Sequence, residues 1–152
     1  FFYFFFMLKN YEEIIEELKK IVKQKGLKYT EHRAIVLSIL FHANGHLTAE
    51  EVYNQIKKDY PNSNVGIATV YRALSFLEEV ELIASLNFGV DGKKYESNTQ
   101  SHHDHLICTD CGKIVEFVDE EIEKRQEKIA KANKFKITDH SMQLYGICES
   151  CQ

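Results

Sequence analysis

Long apolar runs are missing from this 152-residue chain, and no stretch is long enough to cross a membrane. A secretory signal is missing too, because no cleavable pattern with a leading positive charge is present. The aromatic start, Phe1-Phe2-Tyr3-Phe4-Phe5-Phe6, is too short for either, and the chain turns ordinary only after Met7. Met7 is therefore expected to be the natural initiator, an expectation that mass spectrometry of the native N-terminus overturns if it finds Phe1. Tryptophan is absent and Pro61 is the single proline. Cysteine is scarce: two C-x-x-C units, Cys108/Cys111 and Cys148/Cys151, consume all four residues. These absences argue against a membrane-spanning protein or one built on disulfides, and the expected compartment is the cytoplasm. The length suits one medium domain or two small ones.

An excess of basic charge is also missing. The formal net charge is -4, which taken alone speaks against nucleic acid. The distribution says more than the total. Lys19, Lys20, Lys23, Lys25, Lys28 and Arg33 fall within fifteen residues that contain one acid, Glu31. Such a block reads as a DNA-backbone contact or, as the ordinary alternative, as the solvated face of a helix.

What is present is helical first and extended later. Ile14, Ile15, Leu18, Ile21 and Val22 form a stripe over residues 11–25 that stops at Gly26. Thr30 can cap a second helix with Ile35, Val36, Ile39 and Leu40 facing inward, ending near Asn44-Gly45. Thr48-Ala49-Glu50-Glu51 reads as a capping box opening a third helix, ended by Pro61. Gly66 precedes a fourth, with Ile67, Val70, Tyr71, Leu74 and Leu77, running to about Val80. Residues 82–88, a turn at Gly89-Val90-Asp91-Gly92, and residues 93–96 read as a hairpin. Helices closed by a hairpin make a winged helix-turn-helix, with the fourth as recognition helix. Its start, Gly66, Ala68, Thr69 and Arg72, is small and polar enough to approach a major groove. The expected fold class is α+β: a winged-helix domain over 7–96, a polar linker over 97–101 and a metal-binding domain over 102–152. In the last, 105–109 and 114–118 read as strands, 120–133 as a charged amphipathic helix, and 135–148 as one or two strands. Some fifty residues are too few for a sufficient core, so metal ligation and pairing with another copy are both expected.

The two C-x-x-C units suit a tetrahedral zinc ion better than two disulfides or a redox pair. Their 36-residue separation would fasten the last strand to the first hairpin. A thioredoxin-like site needs one such unit at a helix start, not two symmetric ones. His102-His103-Asp104-His105 is different chemistry, since imidazole mixed with carboxylate suits an exchangeable divalent ion. In an extended segment His103 and His105 point one way, and His102 and Asp104 the other, so two sites are expected. Candidate partners are Glu96, Glu116, Glu123, His140 and His46. A passive His-rich loop is the bland alternative, and a metal-dependent hydrolase another, though no separate general base or substrate pocket is evident. A zinc-held interaction module without DNA binding leaves Tyr71-Arg72 and the basic first helices unexplained.

The segments Gly26-Leu27-Lys28-Tyr29-Thr30, Gly66 through Arg72, His102 through His105, Leu106 through Phe117 and Leu144 through Cys148 resemble the ferric uptake regulator family, in order and with its spacing. The resemblance spans residues 8–151. It implies a dimeric, metal-activated repressor of iron uptake genes, with an N-terminal winged helix and a C-terminal α/β dimerisation domain, and no enzymatic activity. It implies structural Zn2+ on Cys108, Cys111, Cys148 and Cys151. A regulatory site would use His46, Glu96, His103, His105 and Glu116, and an auxiliary one His102, Asp104, Glu123 and His140. Thr69, Tyr71 and Arg72 would meet the major groove of A·T-rich operator DNA, Lys28 the minor groove and Arg33 a phosphate. Peroxide-sensing relatives typically carry aspartates where Glu96 and Glu116 stand, and zinc sensors often use a further cysteine. Ferrous ion, Fe2+, is thus the expected co-repressor, with Mn2+, Co2+ or Zn2+ able to substitute. Peroxide, zinc or manganese sensing is the alternative, and a tetramer the alternative to the homodimer. Metal bound by both domains would fix their angle. Turning a mostly open population mostly closed takes about 5.5 kcal/mol of preference for the closed form.

Overall fold

The computed structural model describes residues 10–43, 45–88, 92–98 and 102–152. The aromatic start with Met7, Asn44, the turn tip Gly89-Val90-Asp91 and linker residues 99–101 lie outside the described residues. The chain forms two compact units, residues 1–101 and 102–152.

The first unit is built on four helices. Helix α1 (Tyr11–Gln24) starts from a capping box in which Asn10 and Glu13 satisfy each other's backbone N–H groups, and it buries Ile14, Leu18 and Val22. That box satisfies donors the first helical turn leaves without partners. Helix α2 (Glu31–His42) lacks the expected side-chain cap: Thr30 is the N-cap residue, but its hydroxyl makes no capping bond. The helix stands without one because six consecutive residues, Ile35 to Leu40, are buried. Helix α1, the two helices that follow and a strand of the hairpin all pack on it. A helix enclosed this way shows no polar face, so tertiary packing rather than capping holds it.

Helix α3 (Ala49–Asp59) carries the expected capping box, Thr48 with Glu51, at 3.1 and 2.8 Å. Helix α4 (Ile67–Glu79) starts at Gly66 and turns Val70, Ala73, Leu74 and Leu77 into the core. Two residues before α3 form a short strand, β1 (Leu47–Thr48), which the sequence reading did not anticipate. It pairs antiparallel with β3 (Gly92–Ser97), which also pairs antiparallel with β2 (Ile83–Phe88), giving the order β1-β3-β2. Ser97, expected to open the linker, is instead the buried last residue of β3, because its pairing with Ile83 continues the ladder. Ser85 and Lys93, one on each hairpin strand, both donate to the Glu78 carboxylate of α4 and so tie the hairpin to that helix. Desolvation pushes the Glu78 carboxyl up, but these two donors hold it below its usual range.

The second unit is a three-stranded sheet with one helix. Strand β4 (Asp104–Cys108) lies between β5 (Ile114–Phe117), antiparallel, and β6 (Gln143–Gly146), parallel. The parallel pair requires a crossover, which α5 (Glu120–Ala132) supplies. Asp119 caps α5 by accepting from the Glu121 and Ile122 N–H groups. Only one strand forms within 135–148. Helix α5 buries no residue, and Ile107 and Cys108 are the buried apolar residues of this unit among those described.

Candidate metal centres and nucleic-acid interface

All four cysteines are reduced and converge at one end of the second sheet. Cys108 ends β4. A tight turn follows, closed by Gly112 N–H to the Cys108 carbonyl at 3.0 Å, with Gly112 at φ +72°, and it returns Cys111 beside Cys108. After β6 a short 3-10 turn (Glu149–Cys151) does the same for Cys148 and Cys151. Their ligand atoms all lie within 4.8 Å of one another. The Cys111 and Cys148 sulfurs are 3.7 Å apart, too far for a disulfide. The edge of a tetrahedron with Zn–S bonds of 2.3 Å is about 3.8 Å, so the set fits zinc. The backbone N–H of Cys148 donates to the Cys108 sulfur at 3.3 Å. With further N–H groups from Cys111 and Asp110, that donor lowers the Cys108 thiol to about 6, favouring thiolate at neutral pH. Hydrogen bonds with the Cys148 and then the Cys111 sulfur push Cys151 up to about 12.

A second cluster joins the start of β4 to the first turn of α5 and the segment before β6. His140 Nε2 stands 3.1 Å from Glu123 Oε1 and 3.8 Å from Asp104 Oδ1, and His102 Nε2 stands 3.4 and 3.5 Å from the same two oxygens. The two imidazole centroids are 4.1 Å apart. Asp104 is buried and also accepts the Met142 N–H at 3.2 Å. His140 Nε2 and Glu123 Oε1 are buried atoms without a hydrogen bond. Leaving such atoms unsatisfied is expensive, and a divalent cation with nitrogen and oxygen ligands would satisfy both. These four residues fit a metal ion, their ligand atoms lying within 4.8 Å of one another.

The remaining candidate ligands lie in both units. In the first, β1 pairs Leu47 with Tyr95, and the same register carried one step back sets His46 against Glu96. Their side chains meet at 2.9 Å and are nearly fully buried. In the second unit, His105 pairs with Glu116 across β4 and β5. His103 Nε2 lies 3.6 Å from Glu116 Oε1, and its ring packs edge-on to His105 at 4.8 Å between centroids. His103 and His105 therefore share one side of the β4 segment while His102 and Asp104 share the other. Each set pairs borderline nitrogen donors with carboxylate oxygens, the donor chemistry of an exchangeable divalent ion.

On the first unit, α4 leaves Ile67, Ala68, Tyr71 and Arg72 exposed at its N-terminal end. Arg72 donates to the Thr69 hydroxyl at 3.1 Å, and the Tyr71 hydroxyl donates to Glu50 of α3 at 2.6 Å. Glu50 is a residue that sequence reasoning assigned only to a cap; its contact with Tyr71 spans 21 positions and leaves no local signal. Lys28 is exposed on the loop that follows Gly26, whose φ of +66° turns the chain out of α1. Arg33 is half-buried: its guanidinium sits 3.9 Å over the Phe76 ring of α4, and Nη1 approaches the Lys28 carbonyl at 3.4 Å. Two of the six clustered cations form ion pairs with carboxylates, Lys19 with Glu16 at 2.8 Å and Lys25 with Glu79 at 3.1 Å. Among the described residues, no helix is long and apolar enough to cross a membrane.

Residues 24–145 match the model of the ferric uptake regulator family. The chain is 52% identical over 142 residues to the ferric uptake regulation protein of Campylobacter jejuni, covering 93% of this chain and 90% of that one. Its fold superposes with a TM-score of 0.84 on the Helicobacter pylori ferric uptake regulator, which has three functional metal-binding sites. That pair is 39% identical and covers 95% of each chain. Against the Campylobacter jejuni peroxide stress regulator the TM-score is 0.66 and the identity 29%, over 90% of this chain and 98% of that one.

Proposed function

The chain belongs to the ferric uptake regulator family, and we propose that it is a ferrous-iron-dependent repressor whose homodimer binds A·T-rich operator DNA upstream of iron uptake genes. It is a transcriptional regulator and not an enzyme. The first unit reads DNA: α4 enters the major groove with Thr69, Tyr71 and Arg72 at its exposed start. Lys28 reaches the minor groove, and Arg33, laid across Phe76, steadies the Lys28 loop while its remaining N–H groups face a phosphate. The second unit dimerises. Leu106, Val115 and Leu144 stand in one row across its sheet and are each more than 40% exposed. A unit this short with so small an interior needs a second copy to cover that row.

Cys108, Cys111, Cys148 and Cys151 hold structural zinc, and His102, Asp104, Glu123 and His140 hold an auxiliary ion. The family resemblance implies His46, Glu96, His103, His105 and Glu116 as the regulatory ligands. Bound ferrous ion would supply ligand bonds gained in the operator-binding state, favouring the spacing of two recognition helices that matches successive half-sites. Glu96, in β3, and His46, directly before β1, carry that message to the hairpin, which Glu78 ties to α4. The observation that carries this reading is the buried His46–Glu96 pair, an imidazole and a carboxylate of the donor types that suit a divalent ion, inside the winged-helix unit. Glutamates at 96 and 116, and the higher identity to an iron regulator than to a peroxide regulator, favour iron over peroxide.

The test is a titration of ferrous, manganous and zinc ions into zinc-loaded protein with labelled A·T-rich operator DNA, repeated in air with peroxide. Ferrous ion should promote binding without oxidising the histidines. Zinc acting at low concentration where ferrous ion fails would remove the iron assignment.

A further inference from the structure

Tyr71 is 44% exposed, so on an ordinary helix surface its ring would sample several rotamers. Here it does not stand alone. Its hydroxyl donates to Glu50 Oε1 at 2.6 Å, within the short range of bonds to an ionised acceptor. Glu50 is the second residue of α3, next to the Thr48–Glu51 capping box, and its carboxylate is also drawn to its own backbone N–H. The acceptor thus stands at a capped helix start, and the phenol is tethered between α3 and α4 while its side chain stays exposed. A carboxylate on this side of the unit repels phosphates and opposes DNA binding unless it serves another purpose.

We infer that Glu50 is a positioning residue for sequence recognition, its carboxylate holding the Tyr71 ring in the orientation that α4 presents to the base edges. This rests on the assignment of Tyr71 to the major groove made above. Holding the ring before DNA arrives removes the cost of immobilising it on binding, worth about 3- to 10-fold in affinity. The benefit is confined to DNA that offers Tyr71 a partner, whereas the like-charge penalty of Glu50 falls on every sequence equally. Glu50 therefore raises selectivity through the ring alone, because a charge penalty equal on all sequences cancels from their ratio.

The experiment uses full-length, zinc-loaded protein activated by manganous ion, with operator and mixed-sequence duplexes measured side by side. Glu50→Ala should weaken operator binding about 3- to 10-fold while binding to mixed DNA stays level or rises. Glu50→Gln keeps an acceptor and should restore operator affinity. In a Tyr71→Phe background, Glu50→Ala should cost nothing further, since the bond is already gone. NMR of ring-labelled tyrosine should show the Tyr71 phenol titrating above its usual range in the parent, because of the Glu50 bond, and falling in Glu50→Ala. Equal losses on both duplexes, or additive losses in the double variant, would overturn the inference. Tyr71→Ala separates the two levels. If it leaves operator binding intact, the groove assignment fails and this inference with it. If it abolishes selectivity while Glu50→Ala leaves selectivity unchanged, this inference fails alone.

Discussion

The first unit buries a continuous apolar cluster running from Ile14 through α2 and α4 to Tyr95, whereas the second buries Ile107 and Cys108 and leaves Leu106, Val115, Val118, Ile129, Phe135, Leu144 and Tyr145 exposed. In the first, burial alone can offset the entropy of ordering the chain. In the second it cannot, so cross-links of another kind must contribute. The difference tracks function. The half with the winged helix carries its own apolar core, and on the proposed reading the other half relies on metal ligation and a partner copy.

Removing a zinc ligand should break that comparison most sharply. Cys108→Ser is expected to unfold residues 102–152, since structural zinc contributes about 10–16 kcal/mol to small metal-held domains. Hydrogen exchange should show protection lost there and kept in α1–α4; loss in both units together would mean that the first is not self-sufficient. The reciprocal change comes next. Leu74 is fully buried in the first unit, so Leu74→Ala should cost about 2–5 kcal/mol in denaturant unfolding of that unit, with zinc content unchanged. Zinc loss in Leu74→Ala would show that the two halves share one stability.

His103→Ala addresses signalling rather than stability. It should raise the ferrous ion needed for operator binding by about 100-fold or more while zinc content and melting temperature stay level. If it and Cys108→Ser behave alike, the division between structural and regulatory metal is wrong. The smallest effect is expected from Thr48→Ala, which removes one capping hydroxyl from α3 and should cost about 1 kcal/mol in the first unit. A larger loss with altered DNA binding would show that the cap also holds Glu50 beneath Tyr71.

Helices α1, α3 and α4 were legible because a 3.6-residue period, or a cap with an acid three residues on, is a local pattern. The two cysteine pairs were legible because metal ligation needs a fixed short spacing. Strand β1 was not, since two residues carry no period, and it exists only because β3 offers free backbone groups beside it. The buried state of Ser97 was hidden in a polar run for the same reason. The missing Thr30 cap shows the converse, a good local signal left unused because the helix is held from all sides by packing.

Sequence alone therefore determined the kinds of chemistry present: four soft thiols in two pairs, and imidazole with carboxylate alternating along one strand. Its resemblance to a family named the residues that join them. Which donors actually face one another was decided by tertiary structure, because register is a property of two strands and not of either. The β1–β3 ladder sets His46 against Glu96, the β4–β5 ladder sets His105 against Glu116, and the approach of α3 to α4 brings Glu50 to Tyr71.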